Sequence, residues 1–364
     1  MEISEIRDWI GLSLVPGVGS KRFVSLLNHF GSPKEVFSAR LKELEKIPDI
    51  GETTAQSIMN FNSWEEAEKQ SLRVGKDGIR FITLKSEEYP TGLKNIYDPP
   101  PYLFVKGEIK KEDSRALAIV GTRLPSPYGR LIAEKITCEL AEKGVTIVSG
   151  FARGVDSISH HFALESKGRT VAVFGSGLDV VYPPENKNLG ERIEKSGALI
   201  SEFLLGTEPE GTNFPKRNRL ISGLSLGVII IEAGIKSGAL LTAQLALEQG
   251  REVFAVPGNI SSKGSQGTNW LIKNGATLVT RVEDILEELK NVFSDETGEN
   301  NRDSGFSLSE QEQRVYQLLS TEPAHIDLIA RESQLSTPRA LSLLLNLELK
   351  GAVKQLSGKN FIRA

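Results

Sequence analysis

The 364-residue sequence predicts an α/β protein built on a doubly wound, mostly parallel sheet, with a helical head before it and a small helical tail after it. Three observations carry that prediction. Between Ser114 and Arg281, short Val/Ile-rich runs alternate with amphipathic, helix-like runs. Uninterrupted apolar strands separated by helices belong to parallel sheets covered on both faces. The sequence changes character near residue 76, and a polar, acidic stretch precedes the last sixty residues. These breaks divide it into a head (1–75), a main domain (76–292), a linker (293–305) and a tail (306–364).

Composition narrows the chemistry. A net charge of −3 is unlike a protein that grips nucleic acid through bulk charge, so any polyanion site must be a local cluster. One cysteine, Cys138, rules out an internal disulfide and fits a reducing cytoplasm, and its helical run suggests a small core residue. The acidic start MEISEIRDWIGLSL has no basic leader region, and no apolar run is long enough to span a membrane. The expectation is a cytoplasmic chain with no membrane association.

The head reads as short helices around two similar hairpins, Leu14-Val15-Pro16-Gly17-Val18-Gly19-Ser20-Lys21-Arg22 and Ile47-Pro48-Asp49-Ile50-Gly51-Glu52-Thr53. The pair resembles a tandem helix-hairpin-helix unit, in which a glycine turn and helix start offer backbone N–H groups to a DNA phosphate. The first copy keeps both glycines and adds Lys21 and Arg22. The second carries Asp49 and Glu52 instead, and a compact packing or protein-contact module stands beside the DNA reading.

In the main domain, Gly78–Leu84 and Tyr102–Gly107 read as strands, separated by helix-breaking prolines. Further strands follow at Leu117–Val120, Val145–Val148, Thr170–Phe174, Ala198–Ile200, Gly227–Ile231, Val253–Val256 and Ala276–Val279, with helices such as Tyr128–Lys143 and Val155–Ser166 between them. Ligands of such sheets bind beyond the carboxyl ends of the strands. Several of those ends run into small-residue loops: Gly121-Thr122-Arg123, Ser149-Gly150-Phe151-Ala152-Arg153-Gly154, Gly175-Ser176-Gly177, Gly234–Gly238 and Pro257-Gly258-Asn259. Glycine admits close approach to the backbone, and a helix opened at Ser237-Gly238 turns unpaired N–H groups toward an anion. An edge lined this way, with Arg123 and Arg153 in the loops, suits several phosphates. Plain exposed structural charge is the other reading of those arginines.

Phe214-Pro215-Lys216-Arg217-Asn218-Arg219 opens a helix with one aromatic among cations and amides. Such a group is a platform for an unpaired base, since stacking is worth roughly 1–3 kcal/mol. As a hydrophobic staple for its own helix, Phe214 would instead be buried and inert.

The tail predicts a helix from Ser309, a second from His325, a third over Thr337–Lys350 and a closing hairpin over Val353–Ile362, the order of a winged helix. Its third helix has few groups able to read base edges, which favours protein contact or weak backbone binding.

Enzymatic chemistry finds little support. The Gly-x-x-x-x-Gly-Lys-Ser/Thr phosphate loop is missing, and Gly175-Ser176-Gly177 lacks the later glycine of a dinucleotide fingerprint. Gly223-Leu224-Ser225-Leu226-Gly227 precedes a strand, so it is no nucleophile elbow. The four histidines have no metal-ligand spacing. Asp156, Glu202 and Glu232 suit helix capping or arginine orientation better than acid-base work. No catalytic residue, metal or cofactor is expected.

Taken together, Ser149-Gly-Phe-Ala-Arg-Gly-Val-Asp156 with His160, Gly175-Ser-Gly-Leu-Asp179 with Tyr182-Pro183 and Asn186, Ile200-Ser201-Glu202, Phe214-Pro-Lys-Arg-Asn-Arg-Leu220, and Ser237-Gly238 with Val256-Pro257-Gly258 resemble the DNA-processing protein A family (DprA, also called Smf). The resemblance covers essentially the whole chain. It implies an extended Rossmann-like domain between a helix-hairpin-helix or SAM-like head and a winged helix. It also implies a cytoplasmic, non-enzymatic homodimer of natural transformation, which binds and protects single-stranded DNA and loads the RecA recombinase. By motif, Gly121, Thr122 and Arg123 would hold phosphate, Ser149, Gly150 and Gly154 would line the same pocket, and Phe214, Arg217, Asn218 and Arg219 would bind the strand. The residue reading adds Arg153, Gly175, Ser176, Ser237, Gly238 and, with less weight, Lys216.

Two alternatives remain beside it. Glu232–Thr242 distantly resembles the glycine-rich site of lysine-decarboxylase-like nucleotide phosphoribohydrolases, though the chain lacks their Pro-Gly-Gly start. A regulator reading duplex DNA through residues 306–364 is the other.

Overall fold

A computed structural model describes residues 1–290, 309–320, 324–333, 335–350, 352–356 and 359–363. They fall into two compact units, Met1–Ser294 and Asp295–Ala364. The expected linker lies outside the described residues.

The larger unit is organised by nine strands: β1 (Arg80–Thr83), β2 (Tyr102–Gly107), β3 (Leu117–Val120), β4 (Ile147–Ser149), β5 (Thr170–Val173), β6 (Ala198–Ser201), β7 (Gly227–Ile230), β8 (Glu252–Ala255) and β9 (Thr277–Leu278). Their order is β1-β2-β6-β5-β4-β3-β7-β8-β9. Strands β3 to β9 pair in parallel, for example Ile119 with Ile229, whereas β2 runs antiparallel to both β1 and β6. The sheet is therefore mostly parallel and doubly wound.

Alternation along the strands explains both covered faces. Successive side chains of a strand point to opposite sides. Leu117 and Ile119 join Ile147, Ile229 and Phe254 in packing against Ala133, Ile136 and Leu140 of the helix Pro127–Glu142. Ala118 and Val120 join Val148, Val173 and Ile230 on the other face, against Leu220 and Ile221 of the helix Asn213–Gly223 and Ala239 and Ala243 of the helix Gly238–Glu248. Each fully buried aliphatic side chain contributes roughly 1.5–3 kcal/mol, so continuous Val/Ile runs are what this two-sided core requires.

The strand order also fixes where a ligand can sit. From β3 the chain winds outward through β4, β5 and β6, then returns to β3's other side for β7, β8 and β9. Loops leaving β3 and β7 consequently diverge, and a crevice opens at their carboxyl ends.

The head is six helices, Ile3–Leu14, Ser20–Phe30, Pro33–Ser38, Leu41–Leu44, Glu52–Met59 and Trp64–Arg73. Its apolar side merges with the sheet domain in one cluster that includes Phe23, Leu26, Tyr102, Phe104 and Leu205. Ser13 Oγ lies 2.7 Å from the Tyr102 hydroxyl, and Gln70 brackets Leu205, donating to its carbonyl at 3.0 Å and accepting from its N–H at 3.1 Å. Head and sheet thus pack against each other within the unit Met1–Ser294. In the first hairpin, Gly17 has φ +85°, and Lys21 pairs with Asp49 of the second at 3.0 Å.

The smaller unit is a winged helix: helices Glu310–Gln317, Ile326–Glu332 and Thr337–Leu349, with β10 (Ala324–His325), β11 (Val353–Leu356) and β12 (Asn360–Arg363) in the order β10-β12-β11. Its first helix opens with a capping box between Ser309 and Glu312. Lys350 Nζ, 2.8 Å from the Glu312 carboxylate, and the Ser309 N–H hold that carboxyl down at about 2. Among the described residues no helix is long and apolar enough to cross a membrane.

Candidate nucleic-acid interface

The β3 loop begins where Gly121 passes so close to Val155 that a Cβ would stand 2.6 Å from its Cγ2. Thr122 anchors the turn, its N–H donating to the Glu232 carbonyl at 2.7 Å and its Oγ1 accepting from Leu124 N–H at 3.2 Å. Arg123 is left exposed at the tip, its guanidinium carbon 5.3 Å from the centre of the Phe214 ring. It makes none of the ion pairs found among the described residues.

The β4 loop is braced from within. Asp156, at the start of the helix Val155–Glu165, accepts through Oδ2 from Gly150 N–H at 3.1 Å and Ala152 N–H at 3.3 Å. Those bonds straddle Phe151, which holds φ 58° while its ring stacks on Phe174 with centroids 4.7 Å apart. Arg217 enters from the neighbouring helix with only 4% of its surface exposed. Its guanidinium donates to the carbonyls of Gly150 and Val173, tying the ends of β4 and β5 together, and its Nε donates to Asn218 Oδ1 at 3.1 Å. Burial pushes the Arg217 pKa down to about 10, against the pull of Asp156, so the cation persists at neutral pH. Burial pushes Asp156 up, with Arg217 opposing.

Phe214 is half-buried, against Gly175 of the β5 loop, where a Cβ would lie 2.8 Å from its ring. Tyr182 stands beside it with ring centroids 6.0 Å apart. Arg153 lies over Tyr182 at 5.8 Å and is held in a fork by Glu185, with N–O distances of 2.5 and 3.1 Å. Arg123, Arg153, Ser176, Tyr182 and Phe214 border one shallow recess.

On the other side of Phe214 lies a cleft of about 460 Å³ at the divergence of β3 and β7. Gly121, Thr122 and Arg123 line it from one loop, and Lys236, Ser237 and Gly238 from the other, with Arg217 and Asn218 along the floor. Ser237 caps the helix Gly238–Glu248 by accepting from Ala239 N–H at 3.3 Å.

The structure therefore gathers most of the expected residues around one aromatic ring. Four expected direct contacts are placed otherwise. Ser149 is fully buried and its hydroxyl donates to the Ile119 carbonyl at 2.6 Å, so it braces the sheet end. The Gly150 N–H already serves Asp156, and Arg217 is a buried bolt below the surface. Arg219 points away from the cleft, paired with Asp98 at 2.9 Å and Glu202 at 2.5 Å. Gly154, at φ +79°, packs against Thr122, where a Cβ would come within 2.4 Å of the carbonyl oxygen. Lys216 is exposed but lines neither cavity. Sequence reading missed Tyr182, Lys236 and Glu185 as neighbours of the site. Lys236 stood next to Ser237 and was within reach; Glu185 arrives from 32 residues beyond Arg153, and no spacing rule announces it.

Glu232, the residue on which a phosphoribohydrolase would depend, accepts from Ser126 N–H at 2.9 Å and Ser126 Oγ at 3.0 Å. It is buried against the start of the helix Pro127–Glu142 and does not border the cleft.

The profile of the DNA recombination-mediator protein A family matches residues 80–290, the whole span of the sheet and its rim. The chain belongs to that family. The DprA winged helix domain matches residues 300–359, and the SAM-like helix-hairpin-helix tandem matches residues 11–61. Protein Smf of Escherichia coli is 43% identical over 285 residues, covering 76% of this chain and 75% of its own. Among solved structures, DNA processing protein A (DprA) of Streptococcus pneumoniae superposes with a TM-score of 0.66 at 33% identity, covering 79% of this chain and 98% of its own. DNA processing protein A of Helicobacter pylori, described for its single-stranded DNA binding mode, has a TM-score of 0.53 at 33% identity, covering 58% of this chain and 96% of its own. Family membership accounts for the three-part architecture of a DNA recombination mediator in this chain.

Proposed function

We propose that this chain binds single-stranded DNA across the carboxyl-end rim of its sheet, acts as a homodimer in the DNA processing of natural transformation, protects the strand and delivers it to the RecA recombinase. The observation that carries the binding step is the pairing of Arg123 with Phe214: a cation with no ion-pair partner among the described residues, poised over an aromatic face at the mouth of a cleft of about 460 Å³. A guanidinium takes a phosphate through two parallel hydrogen bonds, and an aromatic face takes a base without regard to its sequence. Paired bases present no free face, so a single strand is favoured over a duplex. The helix start at Gly238 and the Lys236 ammonium supply further anion contacts along the same rim. Gly121, Thr122, Gly150, Gly154, Gly175, Ser176 and Asn218 shape the path, while Arg217 holds it from beneath. We assign no catalytic step and no cofactor: Asp156 and Glu232 are engaged by backbone N–H groups and by Ser126, and Glu185 is held by Arg153.

The test is a titration of the full chain with labelled oligo-dT and with a duplex of equal length at two salt concentrations. Sequence-tolerant binding of the single strand, weakening with salt at a slope of about −0.7 per phosphate neutralised, supports the reading. Equal or tighter binding of the duplex contradicts it.

A further inference from the structure

The rim carries an acid where an anion is expected to bind. Glu185, on the turn Pro184–Asn186, places both carboxylate oxygens on the fork of Arg153, Oε1 on Nε at 2.5 Å and Oε2 on Nη2 at 3.1 Å. A phosphate would present the same two-oxygen edge to the same donors. The Arg153 guanidinium is at the same time laid over Tyr182, 5.8 Å from its ring centre, and Arg153 and Tyr182 border the recess that Arg123 and Phe214 also border. The two rim arginines consequently differ in state: Arg123 is not ion-paired among the described residues, and Arg153 is occupied.

We propose that Glu185 is an internal stand-in for a strand phosphate, which lowers the affinity of the rim for single-stranded DNA by competing for Arg153. The inference rests on the strand-binding reading above and deepens it. Both side chains are about half exposed, 49% for Arg153 and 54% for Glu185, so the pair is worth little to folding and opens at small cost. An arriving phosphate displaces the carboxylate, and the displaced charge then stands beside the phosphate and repels it. A strand held against such a competitor leaves more readily, which suits a protein that must pass the strand on. The carboxylate needs no proton to let go, because the exchange is one anion for another.

Oligo-dT binding by the full chain, measured for wild type, Glu185→Gln, Arg153→Ala and the double variant, tests this directly. Both sites are on the surface, and thermal unfolding of each variant verifies that the fold is kept. Glu185→Gln should bind roughly three- to tenfold more tightly with slower dissociation, and the gain should vanish when Arg153 is alanine. A Glu185→Gln affinity equal to wild type overturns the inference and leaves strand binding standing. A gain that persists undiminished without Arg153 also overturns it, since only general charge removal would then be at work. If wild type binds no single strand, the inference falls together with the reading beneath it.

Discussion

Asp156 and Arg217 close on Gly150 from two directions: a Cβ built there would stand 2.7 Å from Asp156 Oδ2 and 2.7 Å from Arg217 Nη2. A buried carboxylate and a buried guanidinium thereby share one backbone turn, the first taking its N–H and the second its carbonyl. The consequence is a β4 end held in a single conformation, with Phe151 kept at its positive φ and Phe214 seated on the floor that results. Rigid loops carry binding groups more precisely than mobile ones.

Gly150→Ala should therefore harm both stability and binding. Inserting a methyl group where neither neighbour has room costs about 1–3 kcal/mol, and the displaced turn should weaken oligo-dT binding tenfold or more. Thermal unfolding together with a binding titration checks it, and unchanged affinity in a folded variant would contradict the bracing role.

Arg219 and Arg123 should separate stability from binding. Arg219 is largely buried between Asp98 and Glu202, and its removal leaves the Glu202 carboxylate without its cation. Breaking such a pair costs about 3–5 kcal/mol, less here in proportion to the water that reaches Asp98. Arg219→Ala should lower the melting temperature markedly, and at a temperature where it is folded it should bind oligo-dT nearly as well as wild type. Arg123→Ala should do the reverse, melting normally and losing affinity. Equal binding losses in the two variants would contradict the placement of Arg219.

That contrast also shows how far the sequence could be read. The parallel sheet was apparent because strands buried on both faces must be apolar at every position, as Leu117–Val120 and Gly227–Ile230 are. The edge was apparent because glycine loops recur at strand ends. The direction of an arginine was not. Arg217 and Arg219 sit two apart in one motif, yet one faces the sheet ends and the other faces Asp98 and Glu202, acids brought near only by the fold. The occupation of Arg153 was hidden for the same reason. The two-residue strand β10 was too short to leave a periodic signal, and the union of head and sheet depends on pairs such as Gln70 with Leu205, which are 135 residues apart.

Stability should decline in mild acid through His160. The side chain is fully buried; Thr170 donates its one hydroxyl hydrogen to the Ile147 carbonyl and so accepts from His160 Nδ1 at 2.7 Å, while Nε2 has no partner among the described residues. Burial, reinforced by Arg217, pushes its pKa down from 6.5 to about 3. In the window between those values the unfolded chain holds a proton that the folded one refuses. Its contribution is therefore complete above pH 6.5 and is lost as pH falls, at about 1.4 kcal/mol per unit, or about 2 kcal/mol by pH 5. Thermal unfolding at pH 7 and pH 5 measures it. His160→Gln should flatten the decline by that amount, and an equally steep decline in the variant would contradict the assignment.

The central claim is that Arg123 and Phe214 together form the point of attachment for an unpaired strand. Its most direct measurement is the oligo-dT affinity of the full chain carrying Arg123→Ala and Phe214→Ala together, set against wild type at low salt. Loss of one phosphate contact and one stacked base predicts an affinity at least a hundredfold weaker with the melting temperature nearly unchanged. A folded double variant that binds the strand as tightly as wild type would contradict the account.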